Sequence, residues 1–149
     1  MSSHTLGCQR SNDSVGRASA CRPRVLLIDD EVAIRAALAR FFTRRGWEVV
    51  EAPDGECARG LLAPNDGRAF DLVVCDLRMP RFSGCDFYQW LRHVRPDALA
   101  KLVFTTGDVV GAQSADFLRE ARRPVLEKPF ELSELDRIVD DIHGPVQMA

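Results

Sequence analysis

The sequence predicts an α/β fold in which a five-stranded parallel sheet is doubly wound in (βα)5 order. Two observations carry that expectation. Short, continuously apolar runs recur along the chain without polar alternation, the pattern of strands buried on both faces. Amphipathic stretches with apolar residues at helical spacing lie between them, long enough for right-handed crossovers between parallel strands. The length, 149 residues, suits one domain with a single core.

Arg24 to Ile28 (RVLLI) reads as the first strand and stops at Asp29 and Asp30. Ile34, Leu38, Phe41 and Phe42 then fall at i, i+4, i+7 and i+8, one face of a helix. Its basic end, Arg44-Arg45, suits the helix dipole, and Gly46 suits the C-terminal cap. Trp47 to Val50 reads as a second strand. Asp54-Gly55 begins a second helix through Leu61-Leu62, closed by the breakers Pro64-Asn65-Asp66-Gly67. Asp71 to Cys75 (DLVVC) is a third buried strand ending at Asp76. Phe87, Leu91 and Val94 share the face of a third helix, which Pro96 limits. Leu102 to Phe104 starts a fourth strand that runs into Thr105-Thr106-Gly107, and Ala115 to Ala121 is a weaker helix. Val125-Leu126 is a short fifth strand leading to Lys128-Pro129. Leu132, Leu135, Ile138, Val139 and Ile142 form the stripe of a final helix that Gly144-Pro145 ends.

Composition narrows the function classes. A formal net charge of −2 gives the chain no electrostatic signature for nucleic acid or an anionic membrane. No apolar run approaches the ~18 residues needed to span a bilayer. Residues 1–22 are rich in Ser and Arg, lack the apolar stretch of a secretory signal, and read as a disordered extension or linker. The folded domain is expected over 23–144, with 145–149 as a C-terminal tail. The five cysteines are odd in number and match no zinc spacing, which favours reduced thiols in a cytoplasmic setting, with Cys75 in the core. His93 and His143 read as surface histidines, whereas Trp47, Tyr88 and Trp90 read as packing in or beside the core.

In a sheet of this kind ligands bind outside the carboxyl ends of the strands. The residues found there are Asp29-Asp30, Asp76, Thr106 and Lys128. Carboxylates packed together repel unless a cation relieves them, and an oxygen-rich site with room for water and phosphate suits Mg²⁺. Each Asp alone could be a helix cap or turn residue, but the set on one edge points to phosphoryl chemistry. A carboxylate attacking phosphorus needs its charge screened and cations on the phosphoryl oxygens. Mg²⁺ held by Asp29, Asp30 and Asp76 would supply one clamp and Lys128 another, with Thr106 and the Gly107 backbone as hydrogen-bond donors. Two other readings are weaker. A nucleotide- or FMN-binding domain would want a Gly- or Ser/Thr-rich loop after strand one, where this chain has DDE. A Mg²⁺-dependent hydrolase would be favoured by Asp-x-Asp there.

The runs VLLIDDE (25–31), VVCDLRMP (73–80), FTTGD (104–108) and LEKPF (126–130) resemble response-regulator receiver domains, which share the flavodoxin-like fold. The resemblance spans about Arg24 to Ile142. It implies that Asp76 accepts a phosphoryl group from a histidine kinase and that Asp30 binds Mg²⁺ directly. It also implies that Asp29 acts through metal-bound water and that the Arg78 backbone carbonyl completes the metal's protein ligands. Thr106 would bind a phosphoryl oxygen and move with it, Lys128 would ion-pair with it, and a cis peptide would precede Pro129. Such a domain is not an enzyme beyond catalysing its own phosphorylation and dephosphorylation. Two features depart from the common pattern. Val125 stands where many receivers carry a Tyr or Phe that changes position on activation. Arg78 and Asp108 stand at positions flanking the route of the hydrolytic water, where they would either pair and lengthen the phosphorylated lifetime or remain two solvated side chains.

Two outputs remain open. One is a stand-alone receiver that docks on a target through the face formed by its last two helices and fifth strand. The other is the receiver of a hybrid kinase that passes the group to a histidine phosphotransfer protein, as the run PVLEKPFELSEL (124–135) suggests by resemblance. No DNA-binding effector is expected beyond the final helix. The alternative function is a phosphorylation-independent docking module on the same fold.

Overall fold

The computed structural model describes residues 22–63, 69–107 and 111–144. Its elements are β1 (Arg24–Ile28), α1 (Val32–Arg44), β2 (Glu48–Ala52), α2 (Gly55–Leu62), β3 (Leu72–Asp76), α3 (Gly84–Val94), β4 (Leu102–Thr106), α4 (Ala112–Ala121), β5 (Val125–Glu127) and α5 (Leu132–Ile142), with a 3₁₀ helix over Pro96–Lys101. All five strands pair in parallel, in the order β2-β1-β3-β4-β5. The doubly wound sheet expected from the alternation of apolar runs and helical stripes is present.

Burial on both faces explains why β1, β3 and β4 read as unbroken apolar runs. The sheet divides the expected single core into two clusters. Leu26, Ile28, Val73, Cys75 and Phe104 face Phe87 and Leu91 of α3. Val25, Leu27, Val74 and Leu126 face Leu38, Phe41 and Phe42 of α1 and Leu135 and Val139 of α5. Each fully buried aliphatic or aromatic side chain contributes about 1.5–3 kcal/mol relative to exposure.

Local signals set most boundaries. Asp54 caps α2 by accepting from the Cys57 N–H at 2.8 Å, and Ser83 with Asp86 forms a capping box on α3. Gly46 adopts φ +86°, the left-handed conformation that ends α1. The differences from expectation are physical. β2 runs from Glu48 to Ala52, because pairing with β1 begins at Arg24 against Glu48. Trp47 instead turns into the core, edge-on to Phe42 at 5.3 Å. The 3₁₀ helix has too short a pattern to be seen in the sequence. Arg123 fastens its end from far along the chain, donating to the carbonyls of Ala100 and Leu102 at 2.9 Å each. α4 begins three residues earlier than its apolar pattern implied, and Val94 and Leu132 are exposed despite lying on apolar stripes. His143 is not a free surface ring but packs on Trp47, centroids 4.9 Å apart. Cys75 is buried, while Cys57 and Cys85 are free thiols nearer the surface. The expected extension before Arg22, the tail over 145–149, the breakers at 64–67, Cys8 and Cys21 lie outside the described residues.

Candidate functional site

The chain leaves β1 for β2 on one side and returns to place β3 on the other, so a crevice opens at the carboxyl ends of β1 and β3. Asp29 follows β1, Asp76 ends β3, Thr106 ends β4 and Lys128 follows β5. Parallel pairing brings all four to one edge. Asp29 and Asp76 are only 2% and 4% exposed, whereas Asp30 is exposed at the mouth.

Each buried carboxylate is oriented by the backbone next to it. Asp29 Oδ1 accepts from the Glu31 N–H at 2.8 Å, and Asp76 Oδ1 from the Arg78 N–H at 3.3 Å. The Lys128 ammonium bridges their other oxygens, 3.2 Å from Asp29 Oδ2 and 3.4 Å from Asp76 Oδ2. Its nearest partner is Glu31 Oε1 at 2.8 Å. The loop carrying the lysine is tied to β4 by the Lys128 N–H, which donates to the Thr106 carbonyl at 2.7 Å. The Lys128-Pro129 peptide is cis, as the resemblance implied. An open cleft of about 520 Å³ lies above, lined by Asp30, Glu31, Ile34, Asp76, Arg78, Gly107, Lys128 and Pro129.

The electrostatics of the site favour added positive charge. Burial, and after it the charge of Asp29, pushes the Asp76 carboxyl up to about 6, even though Lys128 and the Arg78 N–H pull it down. Burial disfavours the Lys128 charge, but the hydrogen bond to Glu31 and the charges of Asp76 and Asp29 outweigh it and raise the ammonium above its usual value. One cation therefore serves three carboxylates, with Asp30 beside them. Asp29, Asp30 and Asp76 each offer an oxygen, all within 4.8 Å of one another. That donor set fits a hard divalent cation: oxygen ligands, excess negative charge and room for water.

The structure brings Asp29, Asp30, Asp76 and Lys128 together at one edge. Thr106 is 2% exposed at the adjoining strand end, and Arg78 lines the cleft. Asp108 lies outside the described residues, so the Arg78–Asp108 pairing has no counterpart among them. Val125 is half-buried against the α3-side cluster, opposite Phe104 in register. Sequence reasoning missed Glu31 and Arg35. The Arg35 guanidinium donates to the Asp29 carbonyl at 2.6 Å and to Glu51 at 2.9 Å, tying α1 to the loop. Glu31 was visible in the DDE run, but its 97-residue separation from Lys128 left no local signal. Among the described residues no helix is long and apolar enough to cross a membrane.

The family model of the response regulator receiver domain matches residues 25–140. Sensor kinase CckA of Brucella abortus (strain 2308) is 31% identical over 134 residues, covering 90% of this chain and 13% of that protein. Response regulator MprA of Mycobacterium sp. (strain KMS) is 38% identical over 112 residues, covering 75% of this chain and 46% of that protein. The chain thus spans less than half the length of these relatives. Among solved structures, a response regulator receiver protein from Pseudomonas putida superposes with a TM-score of 0.71 at 31% identity, covering 82% of this chain and 98% of that one. The non-phosphorylated HemR receiver domain from Leptospira biflexa superposes at 0.70 and 28% identity, over 86% of this chain and 99% of that one. A carboxylate pair bridged by one lysine at the β1–β3 switch point is what such likenesses lead one to expect, and the chain belongs to the response regulator receiver domain family of two-component signalling.

Proposed function

We propose that residues 23–144 form a phosphoacceptor domain in which Asp76 takes a phosphoryl group from a histidine kinase, with Mg²⁺ held by Asp29, Asp30, Asp76 and the Arg78 backbone carbonyl. The observation that carries this reading is the position of Asp76. It is buried between Asp29 and Lys128, oriented by the Arg78 N–H, and opens on a cleft. With its carboxyl at about 6, most of the group is ionised at neutral pH, as a nucleophile must be. An Asp76 oxygen forms the new P–O bond as the P–N bond to the donor imidazole breaks, and the proton needed by the leaving nitrogen comes from the kinase side or solvent. Lys128 offsets charge on the phosphoryl oxygens, and Thr106 donates from the end of β4. Bound Mg²⁺ supplies further neutralisation of those oxygens. The domain catalyses only its own phosphorylation and dephosphorylation, and its setting is the cytoplasm.

Phosphorylation then shifts a surface equilibrium. With Val125 in place of an aromatic side chain, that shift rests on Thr106 and the loop after β4. The likeness to a sensor kinase favours a hybrid-kinase receiver feeding a histidine phosphotransfer protein, and the likeness to response regulators favours a receiver acting on an output. The test is intact mass after incubation with a small acyl-phosphate donor, with and without Mg²⁺. One phosphoryl group should be gained only with Mg²⁺ and never by Asp76→Asn. A wild-type protein unmodified by that donor and by candidate kinases would leave the phosphorylation-independent docking module as the reading.

A further inference from the structure

Glu31 occupies the N-cap position of α1 yet makes no capping bond with its side chain. An N-cap side chain ordinarily satisfies one of the free N–H groups of the first turn. The carboxylate instead reaches across the cleft to Lys128, at 2.8 Å, closer than either buried aspartate comes to the same ammonium. The two ends differ in exposure, 60% for the Glu31 side chain against 11% for that of Lys128. Glu31 is therefore a movable partner from the cleft wall, whereas Asp29 and Asp76 are fixed beneath. The ammonium donates to Glu31 and Asp76 and pairs with Asp29 at 3.2 Å, so three carboxylates already surround its three N–H groups.

We propose that Glu31 is a positioning residue that holds Lys128 in the unphosphorylated domain and must release it when the phosphoryl group arrives. The inference rests on the phosphoacceptor reading above. A phosphoryl group on Asp76 brings new anionic oxygens to the place where Lys128 already stands among three carboxylates. Its most exposed and least fixed bond, the one to Glu31, is the one to break. The Glu31 pair exists before transfer and is absent afterwards, so it slows the forward step and leaves hydrolysis of the phosphorylated form alone. A general loss of structure would affect both directions.

The test uses two readouts on the full chain. Lys101 and Lys128 are the only lysines in the sequence, so ¹³C/¹⁵N-lysine labelling gives two ammonium signals, assigned with Lys101→Arg. In metal-free protein the Lys128 signal should move in Glu31→Gln while the Lys101 signal stays. An unmoved Lys128 signal overturns the pairing. In the second readout, Glu31→Gln and Glu31→Asp, the latter one methylene too short, should both take phosphate from a small acyl-phosphate donor faster than wild type. The expected gain is about two- to fivefold, the weight of one partly exposed ion pair, with the lifetime after donor removal unchanged. Equal forward rates overturn the proposal, as does acceleration in Glu31→Gln alone, which would assign the effect to charge at the cleft mouth. A wild-type protein that takes no phosphate refutes the phosphoacceptor reading instead, and the ammonium signals still decide the pairing.

Discussion

Asp76 sits where its charge is costly. Its carboxyl is raised from 3.8 to about 6, chiefly by burial and then by Asp29. A raised folded value means that the folded protein binds the proton more tightly than the unfolded chain does, so the penalty is absent below about pH 4 and complete above about pH 6. Removing the charge should thus stabilise the metal-free protein. Asp76→Asn is expected to gain about 1–2 kcal/mol in urea denaturation at pH 7.5. That is less than the ~3 kcal/mol of the full shift, because water in the open cleft screens the group. The gain should fade on lowering the pH to 4, and an equal stability of the two proteins at pH 7.5 would refute the strained-carboxylate account. At this scale the site was largely readable. Asp29, Asp30, Asp76 and Lys128 end or follow strands, and that placement follows from short local patterns. The partnership of Lys128 with Glu31, and of Arg35 with the Asp29 carbonyl, was not readable. Those contacts depend on side-chain reach across a sheet rather than on position along it.

Elements differ in how plainly they announce themselves. β1 and α5 follow from patterns that sit inside single elements, and the structure gives both over the expected residues. β2 and α4 shift because pairing register and packing set their ends, and the 3₁₀ helix is held by Arg123 from the far side of β4. The joint between β3 and α3 is the element boundary on which the site depends. Gly84 donates to the Leu77 carbonyl at 2.9 Å, and a Cβ there would stand 2.8 Å from Leu77 Cα and 3.0 Å from the Asp76 carbonyl oxygen. Backbone atoms cannot give way as a side chain can. Gly84→Ala should therefore cost about 1–3 kcal/mol, as overpacking does, and slow phosphorylation of Asp76 by displacing the end of β3. Gly60 is the contrast, an exposed α2 position where a Cβ meets nothing within 4 Å. Gly60→Ala should stabilise by about 0.4–1 kcal/mol by reducing the freedom of the unfolded chain. Chemical denaturation of the two variants beside wild type checks both signs, and similar losses in both would show that Gly84 has no special role.

For the whole molecule, the acidic cleft couples ligand binding to folding. Carboxylates from β1 and β3 meet only in the folded chain, so a cation that needs all of them binds the native state alone. Mg²⁺ at about a hundred times its dissociation constant should add about 2.7 kcal/mol, seen as a rise of several degrees in the melting temperature. Chelator should reverse it. Asp76→Asn, which removes one anionic ligand, should show a smaller rise. A melting temperature indifferent to Mg²⁺ in wild type would remove the cation from the site.

The apolar runs, the helical stripes and the charged residues at the strand ends sufficed to specify the parallel sheet and the edge on which chemistry occurs. They suffice because burial on both faces and carboxyl-end placement are written in short stretches of chain. The two-sided division of the core, the turning-in of Trp47, the fastening of the 3₁₀ helix by Arg123 and the hold of Glu31 on Lys128 were decided by the tertiary structure. Each joins residues far apart in the chain. Which distant groups come within hydrogen-bond reach is set by how strands align and helices pack, and no local pattern encodes that.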